Sequence, residues 1–142
     1  MPTITKTAEL AAAPDKVWAT LTDFATYGDW NVVHVGFPDG APDAVAEAAT
    51  FKEKVKIMGM PGEVTWTVAA AEEPSKLELA GAGPMGTTMR TLYRLEPNGD
   101  GTLLTYESEF GGAALAAMAG PLTKESDKAA SQSIEKLTGL LG

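Results

Sequence analysis

The stretch Ala113–Leu141 constrains the fold of this chain more than any other. It contains no β-branched run, and its apolar residues return at helical spacing. Leu115, Ala119, Leu122, Ser126, Ala129, Ala130, Ser133, Leu137 and Leu140 fall on one side of an α-helix. Lys124, Asp127, Lys128, Ser131, Gln132, Glu135 and Thr138 fall on the other. One face is therefore expected to be buried and the other wet. At about 1.5 Å per residue the stretch reaches ~40 Å, the span of a small domain. Gly120-Pro121 predicts a kink, or a restart with Pro121 at the first helical position.

The buried stripe is uneven. Leucines stand at its ends, but its middle is Ser126, Ala129, Ala130 and Ser133. Side chains this small do one of two things: they let a sheet approach closely, or they leave a void for a ligand.

The rest of the chain reads mainly as strands. Residues 3–10 alternate, with Ile4, Ala8 and Leu10 on one face and Lys6 among them. Lys6 is expected to snorkel or to meet a buried acid. Residues 12–24 read as a short helix with Pro14 and Asp15 in its first turn and Val17, Trp18 and Leu21 on its apolar face. Residues 25–30 read as a second short helix or turn. Residues 31–44 are broken by Gly36, Pro38, Gly40 and Pro42 and read as a loop.

Five strands are then predicted. Over 46–58, Phe51, Glu53, Val55 and Ile57 share a face. Over 63–72, Val64, Trp66 and Val68 do so, followed by Leu77 and Leu79. Over 87–96 the face is Met89, Thr91, Tyr93 and Leu95, with Leu92 breaking the pattern; over 102–110 it is Leu104, Tyr106, Ser108 and Phe110. Pro97-Asn98-Gly99-Asp100-Gly101 predicts a tight hairpin, and Gly81–Gly86 a longer, flexible connection. Strands joined by short turns make an antiparallel sheet with one dry face, which the last helix should cover. The fold class is α+β, in a single domain over 1–142.

Composition excludes several functions. The chain has 142 residues, no cysteine and a net charge of −8. Disulfides, thiolate metal sites and cysteine catalysis are ruled out. The acidic balance, with no basic stripe, argues against nucleic acid and anionic membranes as partners. No apolar run is long enough to span a bilayer, and the N-terminus has no signal-peptide core, so a cytoplasmic location is expected.

The element order, together with Pro14, Val17-Trp18, Asp23 and Trp30, resembles the START-like (helix-grip) superfamily, in particular its polyketide cyclase/dehydrase and lipid-transport branch. The resemblance covers essentially the whole chain. It implies a curved antiparallel sheet of about six strands wrapped around the C-terminal helix, with two short helices after the first strand and a hydrophobic cavity inside. It thereby moves the small middle of the helix toward the void reading. The candidate ligand-binding residues are then Phe51, Glu53, Val55, Trp66, Val68, Leu79, Met89, Thr91, Tyr93 and Tyr106 on the sheet, and Leu122, Ser126, Ala130 and Ser133 on the helix. Trp30 joins them at a cavity entrance, and His34 as the lone histidine.

Glu53 is the one carboxylate on an apolar face, where burial raises a pKa unless the group is paired; Lys6 is a possible partner. The alternative is a bulge or frayed edge that turns Glu53 to water. His34 could be a general base or bind a polar head, or it could simply lie on the surface. No metal-ligand spacing and no catalytic set are recognisable, and no cofactor or metal is expected. The favoured function is binding of a small hydrophobic, lipid-like or aromatic molecule. The alternatives are a polyketide cyclase or dehydratase using Glu53, Tyr93, Tyr106 and His34, and a protein-interaction or toxin–antitoxin component.

Overall fold

The computed structural model describes residues 3–42, 45–57, 59–112 and 119–141. The chain opens with strand β1 (Thr3–Leu10) and helix α1 (Pro14–Thr22), followed by a 3-10 turn over Phe24–Asp29. Strands β2 (His34–Gly36), β3 (Thr50–Ile57), β4 (Met60–Glu72), β5 (Lys76–Ala82), β6 (Thr88–Asn98) and β7 (Gly101–Gly111) come next, and helix α2 (Ala119–Leu141) closes the chain. The strands form one antiparallel sheet in the order β1-β7-β6-β5-β4-β3-β2. The sheet curls into a half-barrel gripping α2, which is the helix-grip arrangement.

Local chemistry explains the connections. Pro14 starts α1 where a missing N–H costs nothing, and Asp15 complements the positive end of the helix. Val17, Trp18 and Leu21 bury its inner face. Between β6 and β7, Gly99 takes φ +61°, a conformation glycine adopts without steric cost, and Asn98 pairs directly with Gly101. At the same end of β7, Thr102 donates its hydroxyl to the Ala12 carbonyl at 2.7 Å, fixing the start of α1 against the sheet.

The alternation read from the sequence sets the faces. Pairing aligns Phe51, Trp66, Gly81, Met89 and Phe110 in one row across the inner surface, and Val68, Leu79, Thr91, Ser108 and Ile4 in the next. Leu104, Leu77, Val17 and Leu137 are fully buried in the core these rows make with the helices. The backbone of α2 runs closest to β1. Lys6 and Asp127 join the two at 2.7 Å.

Several expectations are corrected. Among the described residues the sheet has seven strands, not about six, because residues 34–36 of the expected loop pair with β3 at its edge. Three residues ending in glycine are too few to show alternation. Leu92 keeps the regular alternation of β6 and faces outward between Glu78 and Glu107, yet it is buried. Gly81–Gly86 is not one loose connection: β5 continues to Ala82, and Pro84–Gly86 forms a 3-10 turn. At the end of α2, Leu141 is buried and Leu140 is exposed. Pro121 lies in the first turn of the described helix; the expected helical residues 113–118 lie outside the described ones.

Truncating Leu137, fully enclosed, should cost about 2–5 kcal/mol as Leu137→Ala. Leu140→Ala should stay within about 0.5 kcal/mol of wild type. Urea unfolding of the two variants checks both values, and equal losses would contradict this placement of the helix.

Candidate functional site

A cavity of about 90 Å³ lies between the inner face of the sheet and α2. One water needs only about 10–15 Å³. The hollow follows from side-chain size. On α2 the wall is Ser126, Ala129, Ala130 and Ser133, none of which reaches far from the helix, with Ile134 and Leu137 toward its C-terminal end. Larger side chains close the ends: Leu122 packs with Ile4 and Phe110, and Leu137 and Leu141 join the main core.

The cavity wall brings together twelve of the candidate residues. Val55, Leu79, Met89 and Thr91 supply much of its apolar surface, with Trp66, Tyr93 and Tyr106 as aromatic walls. Glu53, Trp30, Ser126, Ala130 and Ser133 complete the set. The other four stand elsewhere. Phe51 packs against Phe24 and Phe37, with ring centroids 5.2 and 6.0 Å away. Val68 is plain core, and Leu122 belongs to the cluster at the helix end. His34 sits behind Glu53. Trp30 is 3% exposed, so it is a buried wall and not an entrance. Tyr27, Asn31 and Val33 line the cavity unforeseen. Tyr27 lies one 3-10 turn before Trp30, and that spacing was the signal available for it.

Among the described residues, Glu53 is the only ionisable carboxyl on this wall, and it is buried. Its Oε2 lies 2.6 Å from His34 Nδ1, and its Oε1 accepts from Trp66 Nε1 at 2.9 Å. Both readings that placed these residues at the surface are therefore wrong. Glu53 is not at a frayed edge, and the His34 side chain is only 9% exposed. Lys6 is not the partner of Glu53, since it pairs with Asp127. His34 is held by Tyr27 edge-on at 5.2 Å and by Phe37 at 4.6 Å. Trp66 can reach Glu53 because its indole lies over Gly81. A Cβ at that position would stand 2.8 Å from the Trp66 ring.

Burial pushes the Glu53 carboxyl above its ordinary value, while the hydrogen bonds from His34 and Trp66 pull the other way. The three tyrosines line the same cavity, and burial raises the pKa of each. They are neutral phenols at physiological pH. The Tyr93 and Tyr106 rings lie 5.4 Å apart, centroid to centroid. Such a site can enclose an apolar body, hydrogen-bond a polar group on it, and exchange one proton at Glu53. Among the described residues no three His, Asp or Glu side chains cluster as a metal site. No described helix is long and apolar enough to cross a membrane.

An acid with a raised native pKa binds its proton more tightly folded than unfolded. Below the unfolded value both states are protonated. As pH rises from the ordinary 4.5 through the raised native value, the unfolded chain releases its proton first and native stability falls. Glu53→Gln removes that slope. The melting temperature of the variant relative to wild type should therefore climb as pH rises above 4.5 and then level off. Melting curves that shift in parallel from about pH 4 to pH 8 would contradict the raised value.

Known proteins share this architecture. A family model described as polyketide cyclase / dehydrase and lipid transport matches residues 1–138. Rv1546 of Mycobacterium tuberculosis (strain H37Rv) is 28% identical over 136 residues, covering 96% of this chain and 93% of that one. Toxin Rv0910 of the same strain is 24% identical over 102 residues, covering 72% and 71%. A START superfamily protein from Mycobacterium smegmatis superposes with a TM-score of 0.73 at 22% identity, over 99% of each chain. The sheet that grips α2 and the match along nearly the whole sequence agree, and this chain belongs to the polyketide cyclase/dehydrase and lipid-transport family of START-like proteins.

Proposed function

We propose that this protein is a cytoplasmic binding protein that holds a small hydrophobic molecule between its sheet and α2. The observation that carries the reading is the helix wall of Ser126, Ala129, Ala130 and Ser133 facing a hollow. A helix whose only task was to fill a core would carry large side chains there. Burying about 150–200 Å² of apolar ligand surface gains roughly 4–5 kcal/mol before the costs of association, which suits a one-ring or short aliphatic molecule.

Glu53 supports a second reading, in which the bound molecule is also transformed. A carboxyl with a raised pKa, held by His34 and Trp66 at the cavity wall, is placed to give or take a proton. A cyclase or dehydratase would use it so. Retention of a molecule by Glu53→Gln with loss of its conversion separates this reading from simple carriage.

Ethylbenzene is a suitable first probe. At ten times its Kd it should stabilise the protein by about 1.4 kcal/mol, raising Tm by about 3–6 °C. Ser126→Leu and Ala130→Leu fill the hollow and should abolish that rise while still melting cooperatively. A rise that persists in both variants, or outright unfolding of both, contradicts a void at the middle of α2. Native mass spectrometry of the freshly purified protein then identifies any retained molecule.

A further inference from the structure

Most buried polar groups around the cavity already have partners. Glu53 is held by His34 and Trp66. Ser133 Oγ accepts from the Val32 amide at 3.1 Å. Two atoms are exceptions: Trp30 Nε1 and Ser126 Oγ are buried without a hydrogen-bond partner among the described residues. Both residues line the cavity.

The two exceptions differ in what they need. A hydroxyl can donate or accept, but an indole N–H only donates. Trp30 is 3% exposed, so bulk water does not satisfy it. Its ring is set by Tyr27, edge-on at 5.0 Å, and by Tyr93 at 6.4 Å. An unmatched buried donor is unfavourable, and a cavity that keeps one is shaped to receive an acceptor.

The sign of that acceptor follows from the rest of the wall. Its titratable groups are Glu53 and the three tyrosines, and the described lining contains no Lys or Arg. A carboxylate entering this space would lose its hydration, meet no counter-charge and face Glu53. An uncharged carbonyl or ether oxygen meets none of these costs.

We propose that the cavity selects an uncharged, oxygen-bearing hydrophobe whose oxygen accepts a hydrogen bond from Trp30 Nε1, and that it rejects the corresponding carboxylate. This rests on the small-molecule reading above and adds the polarity of the ligand and the residue that reads it. Trp30 is the specificity determinant, and Ser126 offers a second polar contact.

The test uses the full chain and three one-ring probes: ethylbenzene, acetophenone and benzoate. Ethylbenzene reports the hollow alone. Trp30→Phe keeps an aromatic ring and removes the donor. It should weaken acetophenone binding about five-fold or more while leaving ethylbenzene within roughly two-fold. Wild type should bind benzoate at least about ten-fold more weakly than acetophenone. In wild-type protein labelled with [15N]tryptophan, acetophenone should move one indole N–H signal downfield and ethylbenzene should not. This measurement stands even if Trp30→Phe fails to fold.

Equal weakening of both neutral probes by Trp30→Phe, an unmoved indole signal, or benzoate binding as tightly as acetophenone would overturn the inference. If ethylbenzene binds in those cases, the hollow survives and only its proposed selectivity falls. If none of the three probes binds, the small-molecule reading falls as well.

Discussion

The structure depends on α2 being clamped at its ends while its middle carries too little side chain to reach the sheet. Leu122 locks one end against Ile4 and Phe110, and Leu137 and Leu141 lock the other into the main core. The Lys6–Asp127 pair joins helix to edge strand, and the Ser133 hydroxyl caps the Val32 amide. The ion pair is half exposed and contributes little, about 0–1 kcal/mol. The leucines do the holding. A helix so fixed does not collapse onto the sheet when its central residues are small, and the space between them persists. Relaxation around a void is only partial when both walls are rigid.

Glu53 is the second structural commitment. A buried carboxylate is tolerable only with partners, and here they come from two different elements. β2 supplies His34 and β4 supplies Trp66. The Trp66 arm depends on a third strand, because Gly81 on β5 leaves the space the indole occupies. His34 in turn is bracketed by the ring of Tyr27, from the turn after α1, and that of Phe37, just past β2. The short edge strand β2 is thus held partly by the side chain it presents to Glu53. Replacing such a pair with apolar residues is often neutral or favourable in stability, so stability alone does not account for its presence.

Much of this was readable from residues, and the failures share a cause. Period-2 alternation identified the inner faces of β3 to β7, since one dry face imposes it directly. The placement of Glu53 among Phe51 and Val55 followed from the same rule. What alternation does not reveal is a partner distant in sequence. His34 lies 19 residues from Glu53 and looked like a surface residue in a Gly/Pro-rich loop. Lys6 shared the inner face with Glu53, but β1 and β3 stand far apart in the sheet order. Phe51 and Val68 alternate as correctly as Val55 and Trp66. Their distance from the hollow is set by where α1 and its following turn pack, and strand periodicity carries no information about that. The Leu140/Leu141 exchange at the end of α2 is a local error of one residue in helical phase.

Natural sequences satisfy local rules almost everywhere, and departures tend to gather where function requires them. Here three departures meet in one place. The middle of a buried helix face is Ser and Ala where Leu would pack, a carboxyl sits on the dry side of a sheet, and a buried indole N–H lacks an acceptor among the described residues. Each is individually unfavourable. The cavity alone costs about 2 kcal/mol on the scale of measured core voids, against total stabilities of roughly 5–15 kcal/mol for a domain. Independent defects would scatter through the core. Their shared location fits the small-molecule reading proposed above, in which one ligand would fill the void and answer the indole N–H beside the wall that holds the carboxyl.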